Sequence, residues 1–181
     1  MNELSSARTA LAALSPVAVG IGHDQLHLST PCPGFDVAAL ADHLVGTITM
    51  VGAAAGSDVS APDTDGIGMR ITQTAESVID VWRRRGTEGE VVFAGRTMAA
   101  GLALGVLSVE LVVHGWDLAQ ALGEHVLIAA AHADFVLGLA RQIITDESRV
   151  TAGFDPPVPV TDDVAAMDRL LAFTGRRPWH L

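Results

Sequence analysis

Glu110 and His114 stand four residues apart in the stretch GLALGVLSVELVVHGWDLAQALG, residues 101–123. On a helix that spacing projects both side chains from one face, with Cβ atoms roughly 6 Å apart. Imidazole and carboxylate are both ligands of zinc and of other divalent ions, and each binds in its deprotonated form. Apolar side chains cover every face of the first four turns, so the helix predicted here has no water-facing side and belongs inside a bundle. A carboxylate buried there without a partner is costly or gives up its charge. Two compensations are open from this stretch alone. A divalent ion shared with His114 would serve, given a third ligand from elsewhere. Alternatively, an arginine from a neighbouring helix satisfies Glu110, and His114 is held by a backbone carbonyl or by Asp117.

Other residues with chemistry to offer are scattered. His43 falls at the edge of an apolar stripe, where a side chain faces either solvent or a cavity between helices. His23 and His27 lie in a connection, solvated or serving as extra ligands. Arg83, Arg84 and Arg85 complement the C-terminal end of a predicted helix and are solvated there, with an anion as the alternative partner. Arg96 stands at the approach to the central helix, where it meets an acid or a substrate carboxylate. Asp117 either orients an imidazole or pairs with an arginine. No role is read for Arg176 or Arg177, and Cys32 is read as packed and inert.

The elements that must position these groups are helical. Residues from Asn2 to Val19 suit a first helix, bent or ended by Pro16. The segment GHDQLHLSTPCPGFD is an irregular connection, after which Asp36 caps a second helix carrying Val37, Leu40, Leu44, Ile48 and Val51 on one stripe. A third helix runs from about Met69 to Arg85, with Ile71, Ala75, Val78 and Trp82 on its buried face and Gly86 as its stop. EVVFAGRTM reads as a short extended piece. After the central helix, residues from Leu127 to about Ile144 form another, with Ala131, Phe135, Leu139 and Ile143 at four-residue steps and His132 off that line. FDPPVPV is an extended strap, because proline lacks the amide donor and restricts its predecessor. Thr161 caps a short last helix with Met167, Leu170 and Leu171, ended by Gly175. The expectation is an all-α bundle of four principal helices with a strap and a short C-terminal helix, one domain over residues 1–181.

Composition narrows the function. A net charge of −10 gives no electrostatic footprint for nucleic acid. Apolar residues make up 49% and charged residues 18%, yet no uninterrupted apolar run spans a bilayer, so no membrane partner is expected. The same apolar richness suggests a homodimer. The N-terminal segment does not read as a signal peptide, and the lone Cys32 cannot staple the chain to itself, so a cytoplasmic location is expected.

Three stretches together resemble one family: TPCPGFDVAALADHLVG (residues 30–46), VELVVHGWDLAQALG (109–123) and PPVPVTDDVAAMDRLLAFTGRRP (156–178). They are similar to the mycothiol-dependent maleylpyruvate isomerase family, the actinobacterial branch of the DinB-like metal-binding four-helix proteins, over nearly the whole chain. In that family a histidine on the second helix and a Glu-xxx-His pair on a later helix hold a divalent metal, usually zinc. The resemblance places those ligands at His43, Glu110 and His114, with nickel a competitor for the same N and O donors. Phe35 departs from the family pattern, standing where tryptophan is common, so the ring is kept and an indole donor is lost. The isomerase itself carries a further C-terminal domain. No such domain is expected here, so its activity is not carried over.

Three protein ligands with one open position is the catalytic form of a zinc site. The resemblance implies mycothiol as a thiol cofactor and a small electrophile as substrate, with thiol transfer or isomerisation as the reaction. The alternative is a metal-binding protein of the same fold without turnover.

Overall fold

In the computed structural model, which describes residues 1–64, 66–149, 154–161 and 163–177, the chain is an all-α bundle built around one buried helix. The order is α1 (Glu3–Val19), a short 3-10 turn (His23–Gln25), α2 (Val37–Ala54), α3 (Ile67–Arg85), β1 (Glu90–Phe93), β2 (Arg96–Ala99), α4 (Ala100–Leu122), α5 (Ala130–Ile143), α6 (Asp146–Arg149) and α7 (Ala166–Phe173). Pro178 and Trp179, in the C-terminal stretch of the sequence, lie outside the described residues.

α4 is buried without interruption from Ala103 to Gly115, as its all-round apolar surface demands. α1, α2 and α5 pack against it, α3 closes the bundle against α1 and α2, and α7 lies on α5. α4 stops at Gly123, whose left-handed backbone (φ 71°) lets its N–H and that of Glu124 cap the last carbonyls. By length and composition α2 and α4 could each cross a bilayer, but 94% of the α4 window and 50% of the α2 window are buried inside the fold.

The caps follow from residue type. The Asn2 side chain accepts from the Ser5 N–H and starts α1, which runs on through Pro16 for a further turn. Asp36 accepts from the Ala39 N–H and starts α2, as expected. Ile71, Ala75, Val78 and Trp82 are fully buried on α3, and the Trp82 indole donates to the Val51 carbonyl at 3.0 Å, tying α3 to α2. The extended piece is a two-stranded antiparallel hairpin pairing Val91 with Met98. Its tight turn at Ala94 and Gly95 has positive φ at both residues, the twist that short hairpins favour.

Several expectations are corrected. α5 begins at Ala130, not Leu127, which is 89% exposed. Its buried face is His132, Ala133, Val136, Leu137, Leu139 and Ala140, so Ala131 is exposed and His132 is inside. Thr161 does not cap the last helix: its hydroxyl bonds Asp163, and α7 starts at Ala166 after Ala165. Arg85 is not free in solvent, because its guanidinium lies over Trp82 and donates to the carbonyls of Gly86, Glu88 and Glu90.

Candidate metal centre

α4 supplies Glu110 and His114 one turn apart, and α2, crossing beside it, supplies His43. Their ligand atoms all lie within 4.8 Å of one another. Glu110 Oε2 is the hub, 3.2 Å from His43 Nε2 and 3.4 Å from His114 Nε2. The two imidazoles meet edge to face with centroids 5.1 Å apart. Glu110 and His114 are buried, whereas the His43 side chain keeps 30% of its exposure, so the group opens to solvent on the α2 side.

Aromatic rings wall the group. Phe35, at the end of the loop before α2, approaches His43 at 5.5 Å. That loop is held by the Thr30 hydroxyl, which donates to the Phe35 carbonyl and accepts from the Cys32 N–H. Phe154, at the start of the strap, stacks on His114 with centroids 6.2 Å apart and planes 10° from parallel.

Behind His114 stands a second layer. His114 Nδ1 lies 2.9 Å from Asp117 Oδ2. Asp117 is fully buried, and Arg176, itself only 3% exposed, donates to it through Nε and, at 2.7 Å, through Nη2. Both readings of Asp117 therefore hold at once: it orients an imidazole and it pairs with an arginine. With Nδ1–H donating to Asp117, the His114 tautomer is set, and Nε2 is the atom left for the Glu110 side.

Charge is distributed accordingly. Burial alone would raise the Glu110 carboxyl, but the adjacent imidazoles of His114 and His43 and their charge outweigh it and hold the group at about 2. Burial would lower His114, yet Asp117, Cys32 and Glu110 keep it well above its usual value. Asp117 is lowered by His114 and Arg176 against the opposing effect of burial.

These residues fit a divalent ion. His114 Nε2 is buried at ion-pair distance from Glu110 Oε2, 3.4 Å, and among the described residues it makes no well-aligned hydrogen bond. It points toward a carboxylate and a second imidazole, a three-donor set of zinc type. Cys32, His114 and Asp117 form a second group of potential donors within 4.8 Å, but the Arg176 guanidinium already occupies Asp117.

Other candidates lie elsewhere. His23 and His27 are exposed, and Arg96 is exposed on β2. Sequence reasoning missed Arg176, Phe154 and the closeness of Cys32 to His114. The available signal for Arg176 was Asp117 itself, a carboxylate on an apolar helix that required a cation.

Comparison with known proteins agrees with the resemblance. Residues 7–119 match the family model described as the mycothiol maleylpyruvate isomerase N-terminal domain. Two uncharacterised proteins from two strains of Mycobacterium tuberculosis are each 25% identical over 179 residues, covering 97% of this chain and 98% of the relative. No solved structure matches.

Proposed function

This chain belongs to the mycothiol maleylpyruvate isomerase N-terminal domain family, and from that membership together with the buried donor set we propose that it holds a divalent ion, zinc, on His43, Glu110 and His114. In this reading it presents a small-molecule thiol of the mycothiol type to an electrophilic carbon, for thiol transfer or isomerisation. The observation that carries the proposal is the convergence of His43, Glu110 and His114, whose donor atoms all lie within 4.8 Å of one another with Glu110 and His114 buried.

An ion in that position would supply Lewis acidity and favour a bound thiolate at neutral pH, a nucleophile otherwise scarce there. The chain's residues determine what surrounds it. Glu110 and Asp117 against Arg176 leave one uncompensated negative charge once His114 is neutral, so a dication leaves the pocket one positive charge. That excess selects an anionic donor, such as a thiolate, for the open place. Asp117 accepts the Nδ1–H of His114 and keeps Nε2 a lone-pair donor. Phe35 and Phe154 exclude water from two sides. The partly exposed edge at His43 is where a substrate approaches.

The experiment is elemental analysis of the purified and zinc-reconstituted protein, followed by a screen of small electrophiles with and without mycothiol. The expected result is stoichiometric metal and a thiol-dependent loss of electrophile that vanishes in Glu110→Gln. No stoichiometric metal after reconstitution overturns the site. A metal-loaded protein inert toward every electrophile with thiol overturns the catalytic part.

A further inference from the structure

Arg176 is more than the packing of its segment requires. α7 buries Leu170, Leu171 and Ala172 and packs on α5. Just beyond it, the Arg176 side chain reaches Asp117 on α4, a residue 59 positions earlier. Holding a guanidinium at 3% exposure is costly, and an apolar residue of similar volume ties two elements together at least as well. The geometry around the side chain shows what a charged fork adds. Nη1 donates to the Thr174 carbonyl at 2.8 Å, and the Arg176 N–H donates to the Leu171 carbonyl at 2.8 Å, so the arginine is locked to the end of its own helix. Phe154 covers the guanidinium at 5.3 Å while stacking on His114 with its ring. On the far side, a single oxygen, Asp117 Oδ2, receives both Arg176 Nη2 at 2.7 Å and His114 Nδ1 at 2.9 Å.

Asp117 is thus held from two directions, and its orientation toward His114 depends on where Arg176 sits. We propose that Arg176 is a positioning residue of the metal centre: by fixing Asp117 it sets the orientation and tautomer of His114, so the seating of the segment 174–176 tunes metal affinity. By linkage, metal binding holds that segment in place to the same extent. The inference rests on the proposed metal site. It assigns the C-terminal segment a part in that site although no atom of it is a ligand. Groups that orient a ligating imidazole from behind change metal affinity by roughly 10–100-fold when removed, and Arg176 acts one step further back, through Asp117.

The test uses the full chain. Zinc affinity is measured by competition with a chromophoric chelator for the parent, Arg176→Gln and Arg176→Lys, and the cobalt(II)-substituted forms are compared by ligand-field absorption. Expected are a roughly tenfold or greater loss of affinity in Arg176→Gln, a shifted cobalt spectrum, and partial recovery in Arg176→Lys, which restores the charge without the fork. A purely structural tie would lower the melting temperature of the metal-free variant and leave the cobalt spectrum of the loaded one unchanged. Independently of any variant, hydrogen exchange at the amides of Thr174, Gly175 and Arg176 in the parent should slow when zinc is added. A parent that binds no metal overturns the site itself. A parent that binds metal while Arg176→Gln matches it in affinity and spectrum overturns the positioning role and leaves the site standing. If Arg176→Gln does not fold, exchange at those amides in the parent that is indifferent to zinc overturns the inference equally.

Discussion

His114 Nε2 faces Glu110 Oε2 across 3.4 Å on one turn of α4, an ion-pair contact without the alignment of a hydrogen bond, although the residue is only 2% exposed. An ion shared by the two groups would satisfy both. The partner of the other ring nitrogen, Asp117, is close and well placed at 2.9 Å, so the imidazole is firmly held with Nε2 toward Glu110.

Replacing His114 with Ala should therefore do two things. It removes a ligand, and it leaves Glu110 buried with one partner fewer, destabilising the bundle by about 1–3 kcal/mol. Adding a chelator should lower the melting temperature of the metal-loaded parent and leave His114→Ala nearly unchanged. Equal responses in calorimetry would mean that the metal is held elsewhere.

Protons and metal compete at His114. In the metal-free protein its raised pKa favours the protonated ring, and a metal must displace the Nε2 proton. Binding should release about one proton from this residue, and apparent affinity should strengthen by about tenfold per pH unit up to the folded-state pKa. Titration calorimetry in buffers of different ionisation enthalpy counts that proton, and a count of zero would contradict the assignment. The same shift has a stability sign. A pKa raised in the fold stabilises the metal-free protein fully below its unfolded value of 6.5, and that contribution fades as pH rises through the folded value. Glu110, held at about 2 against 4.5, stabilises above 4.5 and loses its contribution as pH falls toward 2.

Much of this was legible in residue order. α4 could be recognised because no rotation of its sequence offers a polar face, and Glu110 and His114 were conspicuous against that background. His43 could be paired with them only through the family pattern, because the second helix alone places it at a stripe edge. The α5 face was misread for a geometric reason. Four-residue steps overshoot a full turn by about 40° each, so the line from Ala131 to Ile143 drifts across the helix, with Leu139 in the core, Phe135 and Ile143 at its margin and Ala131 outside. Alternating steps of three and four bring His132, Val136 and Leu139 inward, but a histidine gives no apolar signal to start from. Thr161 was misread because a hydroxyl before an apolar run resembles a cap, while its hydroxyl is engaged by Asp163 two residues on. Arg176 was not placed because Gly-Arg-Arg-Pro at a helix end reads as solvent-facing, and the Asp117 that calls for a cation is 59 residues away.

His132 carries a prediction of opposite sign. The ring is buried, with Nε2 3.0 Å from the Ser6 hydroxyl and Nδ1 without a hydrogen-bond partner among the described residues, and burial lowers its pKa despite the Ser6 contact. Below pH 6.5 the unfolded chain takes up a proton that the folded chain refuses, so this residue removes stability as pH falls. Between pH 7 and pH 5 the metal-free parent should lose more melting temperature than His132→Gln, in which nothing titrates at that position. Parallel curves for the two proteins would show that His132 accepts its proton inside the fold.

The crossing of α1 and α3 should be the least forgiving contact outside the site. A Cβ built on Gly68 would lie 1.8 Å from the Ala18 carbonyl oxygen and 2.2 Å from its carbon, and both belong to backbone at the end of α1, with no flexible side chain to swing aside. Gly68→Ala must then push α1 and α3 apart, and since Ile71, Ala75, Leu14 and Val17 share the surrounding core, the displacement costs packing as well. Destabilisation of about 2–3 kcal/mol is expected, or about 5–10 °C in melting temperature for a chain of this size. Gly46→Ala is the matched control. It sits on the exposed side of α2, where an added Cβ meets nothing within 4 Å, so removing a glycine from a helix interior should stabilise by about 0.5–1 kcal/mol. Thermal unfolding of the two variants beside the parent decides it: opposite shifts support a backbone-on-backbone crossing at Gly68, and a neutral Gly68→Ala would mean that the two helices do not approach this closely.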